Sequence, residues 1–270
     1  LHNVQFIKNN VSGGYYNFYL YYSGSGSTEM GNGSASITID SNTLTEAYYY
    51  GIYSYYYGFY PSISYNTIRS RSTSSTYYGI YTYYYHTIPL MVGNKINIIN
   101  SSTAYGMYLY YYHNYNTTYG STGPGLLANN EIIINGAGTK YAMYVYNNSR
   151  WDIINISIYI GPTAGTTYGI YKYTTSTAYM MNVLNNNVFI AATGTTYPIY
   201  ISSTTYATSS YGVVDYNNYY SNGTYLGYIG SAMTTLTAMK TYQNTNSTNM
   251  LPIYINVANS LELLNYSGML

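Results

Sequence analysis

The residues able to do acid–base chemistry in this chain are few. There are seven carboxylates: Glu29, Asp40, Glu46, Glu131, Asp152, Asp215 and Glu262. Glycosidic hydrolysis needs two carboxyl groups about 5 to 9.5 Å apart, and no two of the seven share a column on adjacent coils of the repeat described below. A calcium-assisted lyase needs an acidic cluster, which is missing, as is the calcium-binding GGxGxD nonapeptide. His2, His86 and His113 have no thiolate company, because the chain lacks Cys, and sparse imidazoles alone make a poor metal site. The sequence therefore assigns no catalytic residue, no metal site and no cofactor.

Recognition chemistry is better represented. Arg69 and Arg71 alternate onto one face and could meet an anion or a sugar, or lie on a solvated loop. In Arg150-Trp151-Asp152 the indole could stack on a sugar ring or pack as a surface Trp against its own coil. Nine Asn-x-Ser/Thr sequons, at Asn10, Asn32, Asn100, Asn116, Asn147, Asn155, Asn222, Asn246 and Asn265, permit glycosylation. The dominant feature is 47 Tyr in 270 residues. Tyr53, Tyr81, Tyr108, Tyr144 and Tyr171, with Trp151, are the candidate binding surface.

These Tyr fall in a repeat. Tyr, small residue, apolar, Tyr, variable, Tyr occurs at Tyr50–Tyr55, Tyr78–Tyr83, Tyr105–Tyr110, Tyr141–Tyr146 and Tyr168–Tyr173, with variants at Tyr16–Tyr21 and Tyr197–Ser202. A second motif, apolar-x-x-Asn-x-apolar, runs in phase through Asn42, Asn66, Asn94, Asn130 and Asn186. Asn9 precedes it, Asn217 follows, and Ile156 interrupts it. A period of about 30 residues built from β-branched and aromatic segments, without helical patterning, is the signature of a β-solenoid. The chain is thus expected to be an all-β, right-handed parallel β-helix of about 8 coils, with two strands per coil. The Asn form an inward or corner ladder of stacked amides. Alternation sends the Tyr pairs outward; the inward alternative would have to seat many hydroxyls. The stretch Asn114 to Gly125 reads as a loop off one corner. The register also sets Lys95 beside Glu131 and His86 beside His113.

Residues 1–230 form this solenoid and 231–270 depart from it. Leu236, Met239 and Lys240 have helical spacing, and Pro252 to Val257 alternates like a strand. The segment reads as a C-terminal cap over the open strand edge; Leu1 to Ile7 shows no equivalent. The chain opens at Leu1, as a mature product or part of a longer protein would.

Charged residues are 6% of the chain and the formal net charge is +1, against roughly 25% charged residues in ordinary globular proteins. Such a chain offers no basic stripe for nucleic acid, and no apolar run reaches the length of a spanning helix.

The GIY-x-YY strands, the I-x-x-N-x-I strands and Val214-Asp215-Tyr216-Asn217-Asn218-Tyr219-Tyr220 resemble the right-handed parallel β-helix repeat proteins of secreted surface proteins in Bacteroidetes-like bacteria. Thr235 to Met239, Pro252-Ile253-Tyr254 and Leu261-Glu262-Leu263 resemble that family's short helix and closing strand. The family often carries Cys after its Tyr pair, and more charge; this chain does neither. The resemblance implies secretion or a cell-surface location and leaves activity open. The expected role is a non-enzymatic extracellular structural protein, a head-to-tail self-assembling filament subunit with a Tyr-rich outer surface. The alternatives are a glycan-binding adhesin module and, further off, a polysaccharide lyase or hydrolase.

Overall fold

The computed structural model describes residues 4–21, 37–55, 61–71, 74–83, 90–110, 124–146, 151–173, 181–202, 212–241, 247–249, 254–257 and 260–263. The chain winds into a parallel β-solenoid with three sheets. Sheet I runs from Val4–Ile7 to Val214–Asp215 and sheet II from Asn10–Ser12 to Asn218–Ser221, each with eight strands. Sheet III runs from Tyr16–Tyr21 to Gly227–Ile229 and gains a ninth, antiparallel strand, Ala232–Met233. Each coil thus has three strands where the sequence suggested two. The Asn motif straddles a corner, so its two apolar residues belong to different sheets.

That corner has a fixed construction. The residue before each ladder position is left-handed: Lys8, Ser41, Tyr65, Asn129, Asn155, Asn185 and Tyr216 have φ between 54° and 58°, and Gly93 has 67°. For a residue with a side chain this conformation costs roughly 1–2 kcal/mol. The following Asn offsets that cost. The Asn66 backbone N–H and Nδ2 both donate to Asn94 Oδ1, at 3.1 and 3.0 Å, while Nδ2 also donates to the Ile39 carbonyl at 2.8 Å. Three such bonds at about 1 kcal/mol net each exceed the backbone strain. The pattern runs from Asn9 through Asn42, Asn66 and Asn94 to Asn130, and resumes from Asn186 to Asn217. Ile156 keeps only its backbone donation to Asn186 Oδ1, at 2.8 Å.

Inside, apolar side chains stack in columns one coil apart. One column is Phe6, Ile39, Ile63, Met91, Leu127, Ile153, Val183 and Val214; another begins at Val11 and Leu44. Nearly all of these residues are buried. The small residue of the Tyr motif lies where sheets II and III meet. A Cβ on Gly79 would come within 2.5 Å of the Gly106 carbonyl oxygen and 2.8 Å of Ile96 Cγ2, so bulk is excluded there.

Two lysines break the apolar rule. Lys172 shares an inward column with Leu109, Val145 and Ile201 and is fully buried. Desolvation lowers its ammonium to about 7. Lys140 is also buried, its Nζ donating to the Asn100 and Ser102 carbonyls at 2.8 and 2.6 Å, and desolvation lowers it to about 8.

At the C-terminal side the helix Leu236–Lys240 is present, capped by Thr235 Oγ1, with Met239 buried. Among the described residues, the strands Tyr254–Val257 and Ser260–Leu263 pair with each other alone, as an antiparallel hairpin outside the three sheets. Among the described residues, the last coil is met instead by Ala232–Met233, by Met239 of the helix beside Gly227, and by Ser247–Thr248.

Ile156→Asn should be tolerated to within about 1 kcal/mol, because its amide would rejoin Asn130 to Asn186, whereas Asn94→Ile should lose about 2–4 kcal/mol by stranding buried donors. Chemical denaturation of both variants checks this. Lys172 binds its proton more weakly folded than unfolded, so wild-type stability should rise as pH climbs from about 7 towards 10. Lys172→Met should raise Tm by several degrees, on the order of 5 °C, and flatten that rise; thermal melts across the pH range measure it.

Candidate functional surface

The outward positions of sheet III are Tyr, coil after coil. Tyr53, Tyr81, Tyr108, Tyr144 and Tyr171 form one column, extended by Tyr19 at one end and by Tyr200 and Tyr228 at the other. A second column runs from Tyr16 through Tyr50, Tyr78 and Tyr105 to Tyr225, and a third from Tyr21 through Tyr55 and Tyr83 to Tyr173. Outward Tyr with inward Ile or Met is the orientation expected from alternation.

Successive rings of the central column lie 4.3–5.2 Å apart with planes within 16° of parallel. Coil spacing explains their tilt. Equivalent atoms repeat about every 4.8 Å, while aromatic planes in contact prefer about 3.5 Å. A stacked ring must therefore lean by about 43°. Two adjacent columns leaning in opposite senses would cross at about 86°. The second column, through Tyr50, and the central one, through Tyr53, cross at 79–87° from Tyr50/Tyr53 to Tyr197/Tyr200, a herringbone. The central and third columns lean the same way, within 12°.

This arrangement decides what the face can touch. Each internal ring has both faces covered by its neighbours, so the column presents ring edges and hydroxyls to solvent. Open ring faces occur at the first coil, where Tyr19 and Tyr21 are 51% and 56% exposed. Burial, reinforced by neighbouring phenols, pushes Tyr50 and Tyr171 up to about 12. The same causes raise Tyr53, Tyr81, Tyr108 and Tyr144 further. The face is an uncharged lattice of protonated phenols.

Other sequence candidates separate from this face. Trp151 is fully buried, because alternation turns it inward with Ile153, and Gly125 in register beside it leaves room for the indole. It is no surface aromatic and cannot stack on a sugar. Arg69 and Arg71 are exposed. Asn100 is buried, which removes it as a glycan acceptor. Lys95 Nζ lies 4.0 Å from Glu131 Oε2 as the register predicts, the lysine exposed and the carboxylate largely covered. His2, His86, His113, Glu29, Arg150 and all but the end of the Asn114–Gly125 loop lie outside the described residues. Asp40 and Asp215 share a column but stand six coils apart, about 29 Å at the coil spacing, too far for a hydrolytic pair.

The sequence reading missed Ser247. The Asn217 backbone N–H donates to Ser247 Oγ at 3.0 Å, 30 residues along the chain. One repeat length after Asn217 was the available signal, obscured because the residue there is Ser.

Since the ladder phenols bind their protons more tightly folded than unfolded, their contribution to stability is complete below about pH 10 and is lost as pH rises through 12. Alkaline titration should show phenolate absorbance lagging behind that of the urea-unfolded chain and then appearing together with loss of β circular dichroism. Superimposable curves for folded and unfolded chain would contradict the stacked burial.

A scan against protein-family models matched none, and neither the curated proteins nor the solved structures gave a match to this chain.

Proposed function

We propose that the chain is a non-enzymatic extracellular structural protein, a filament subunit that assembles end to end along its solenoid axis. The observation that carries this reading is the one-sided pairing of the first described strands. Among the described residues the strands Val4–Ile7, Asn10–Ser12 and Tyr16–Tyr21 each have a neighbour on one side only. Ile7 is 43% exposed there, and no described group donates to Asn9 Oδ1. Unpaired edges of this kind attract further strands, and a head-to-tail contact does not close on itself, so it propagates. Low charge leaves little repulsion to oppose assembly. The likeness of its repeats to bacterial surface β-helix proteins supports placement outside the cell. Among the described residues no helix is long and apolar enough to cross a membrane.

A second reading, a glycan-binding adhesin module, is favoured by the phenolic lattice: an uncharged face rich in hydroxyls suits a neutral sugar polymer. Electron microscopy and sedimentation over rising protein concentration distinguish the two. The filament reading expects unbranched rods that lengthen with concentration, with an axial repeat of about 38 Å for eight coils. A chain that stays monomeric at every concentration but retains polysaccharide on an affinity gel would replace it with the adhesin reading.

A further inference from the structure

We infer that Ser247–Thr248 occupies the seat of a second copy's Asn9–Asn10, so that the last coil is a docking site for the first coil of the next molecule, held shut by its own chain. This rests on the filament reading and names its joint. Within the solenoid each ladder Asn that is followed by another makes two backbone bonds to the following coil. Its N–H donates to the next Asn Oδ1, and its carbonyl accepts the N–H of the residue after that Asn. Asn94 shows both, its N–H donating to Asn130 Oδ1 at 2.9 Å and its carbonyl accepting the Glu131 N–H at 2.8 Å.

At Asn217 the same two bonds end on Ser247 Oγ, at 3.0 Å, and the Thr248 N–H, at 2.7 Å. Thr248 also bridges Asn218 in parallel, and its hydroxyl donates to Asn218 Oδ1 at 3.0 Å. The dipeptide copies the corner of an added coil.

The copy is incomplete. In Asn42, Asn66 and Asn94, Nδ2 also donates to the next Asn Oδ1. In Asn217 that second donation folds back onto the Asp215 carbonyl at 2.9 Å. An incoming Asn restores it.

The first coil supplies what is missing. Its corner reads Asn9-Asn10, with Asn9 Oδ1 accepting from no described group. Continuing the columns by one coil would set the second copy's Phe6 on Val214, Asn10 on Asn218 and Tyr19 on Tyr228. The polarity of the ladder, donors towards the C-terminal side and acceptors at Asn9, permits head-to-tail stacking and opposes head-to-head. On sheet III the antiparallel strand Ala232–Met233, paired at only two positions, must also turn aside.

The test compares the full chain with a release variant, Ser247→Ala together with Thr248→Pro, which removes the acceptor and the N–H. Sedimentation velocity and electron microscopy give the concentration at which rods form, and circular dichroism confirms the β fold. Release should lower that threshold at least about tenfold, the equivalent of one or two hydrogen bonds, and adding Asn9→Leu should abolish the gain. If wild type and release variant form rods at the same threshold, the strap inference is overturned while the filament reading stands. If neither assembles although both are folded, the filament reading falls and the joint with it. Rods that survive Asn9→Leu would place the contact elsewhere and overturn the joint.

Discussion

The left-handed corner between sheets I and II is the constraint on which the rest of the solenoid depends. Every coil turns there through one left-handed residue, at φ 54–58° except for Gly93 at 67°, a conformation unfavourable for Lys8, Tyr65 or Tyr216. It persists because the next residue's amide ties two coils together in three directions. A ladder of this kind is cooperative, since each Asn satisfies its neighbour's backbone as well as its own turn. It also fixes the register of all three sheets. Once the corners are superimposed, the apolar columns and the Tyr columns follow without further instruction. The gap at Ile156 shows how much redundancy exists, for one missing amide is carried by intact apolar columns on either side.

The coil spacing set by backbone hydrogen bonds then dictates the surface chemistry. It is wider than the contact distance of aromatic planes, so the rings lean, and neighbouring columns resolve the lean as a herringbone. The consequence for function is restrictive. A Tyr-rich face suggests ring faces offered to sugars, but here the faces are spent on one another and the surface offers hydroxyls. Among the described residues, the first coil combines the exposed rings of Tyr19 and Tyr21 with strands paired on one side only. Each ladder N–H donates towards the C-terminal side, ending at Ser247 Oγ, and this polarity gives the solenoid a direction.

The buried lysines belong to the same economy of charge. A neutral amine at Lys172 is tolerated because the apolar columns on either side leave it nowhere to reach water. Its cost at neutral pH and the phenols' cost at high pH act from opposite sides, so stability peaks on the alkaline side of neutrality.

Which residues share a column was legible in the chain before folding. Translation by one coil leaves a periodic trace, and from it the Asn ladder, the outward Tyr columns, the inward Ile and Met, and the Lys95–Glu131 pair could all be read. It did not reveal what happens between columns. The Asn motif looked like one strand because a left-handed residue leaves no reliable mark when Lys, Ser, Tyr and Asn all serve. Trp151 carried an alternation signal that placed it with Ile153, yet its adjacent charges suggested a surface; the space beside Gly125 exists only in the stacked state. Ser247 was invisible because its role depends on position over Asn217, one hydroxyl oxygen standing where an amide oxygen would be. Tertiary structure decided these points because each turns on what the neighbouring coil presents across about 4.8 Å, a proximity between residues some thirty positions apart.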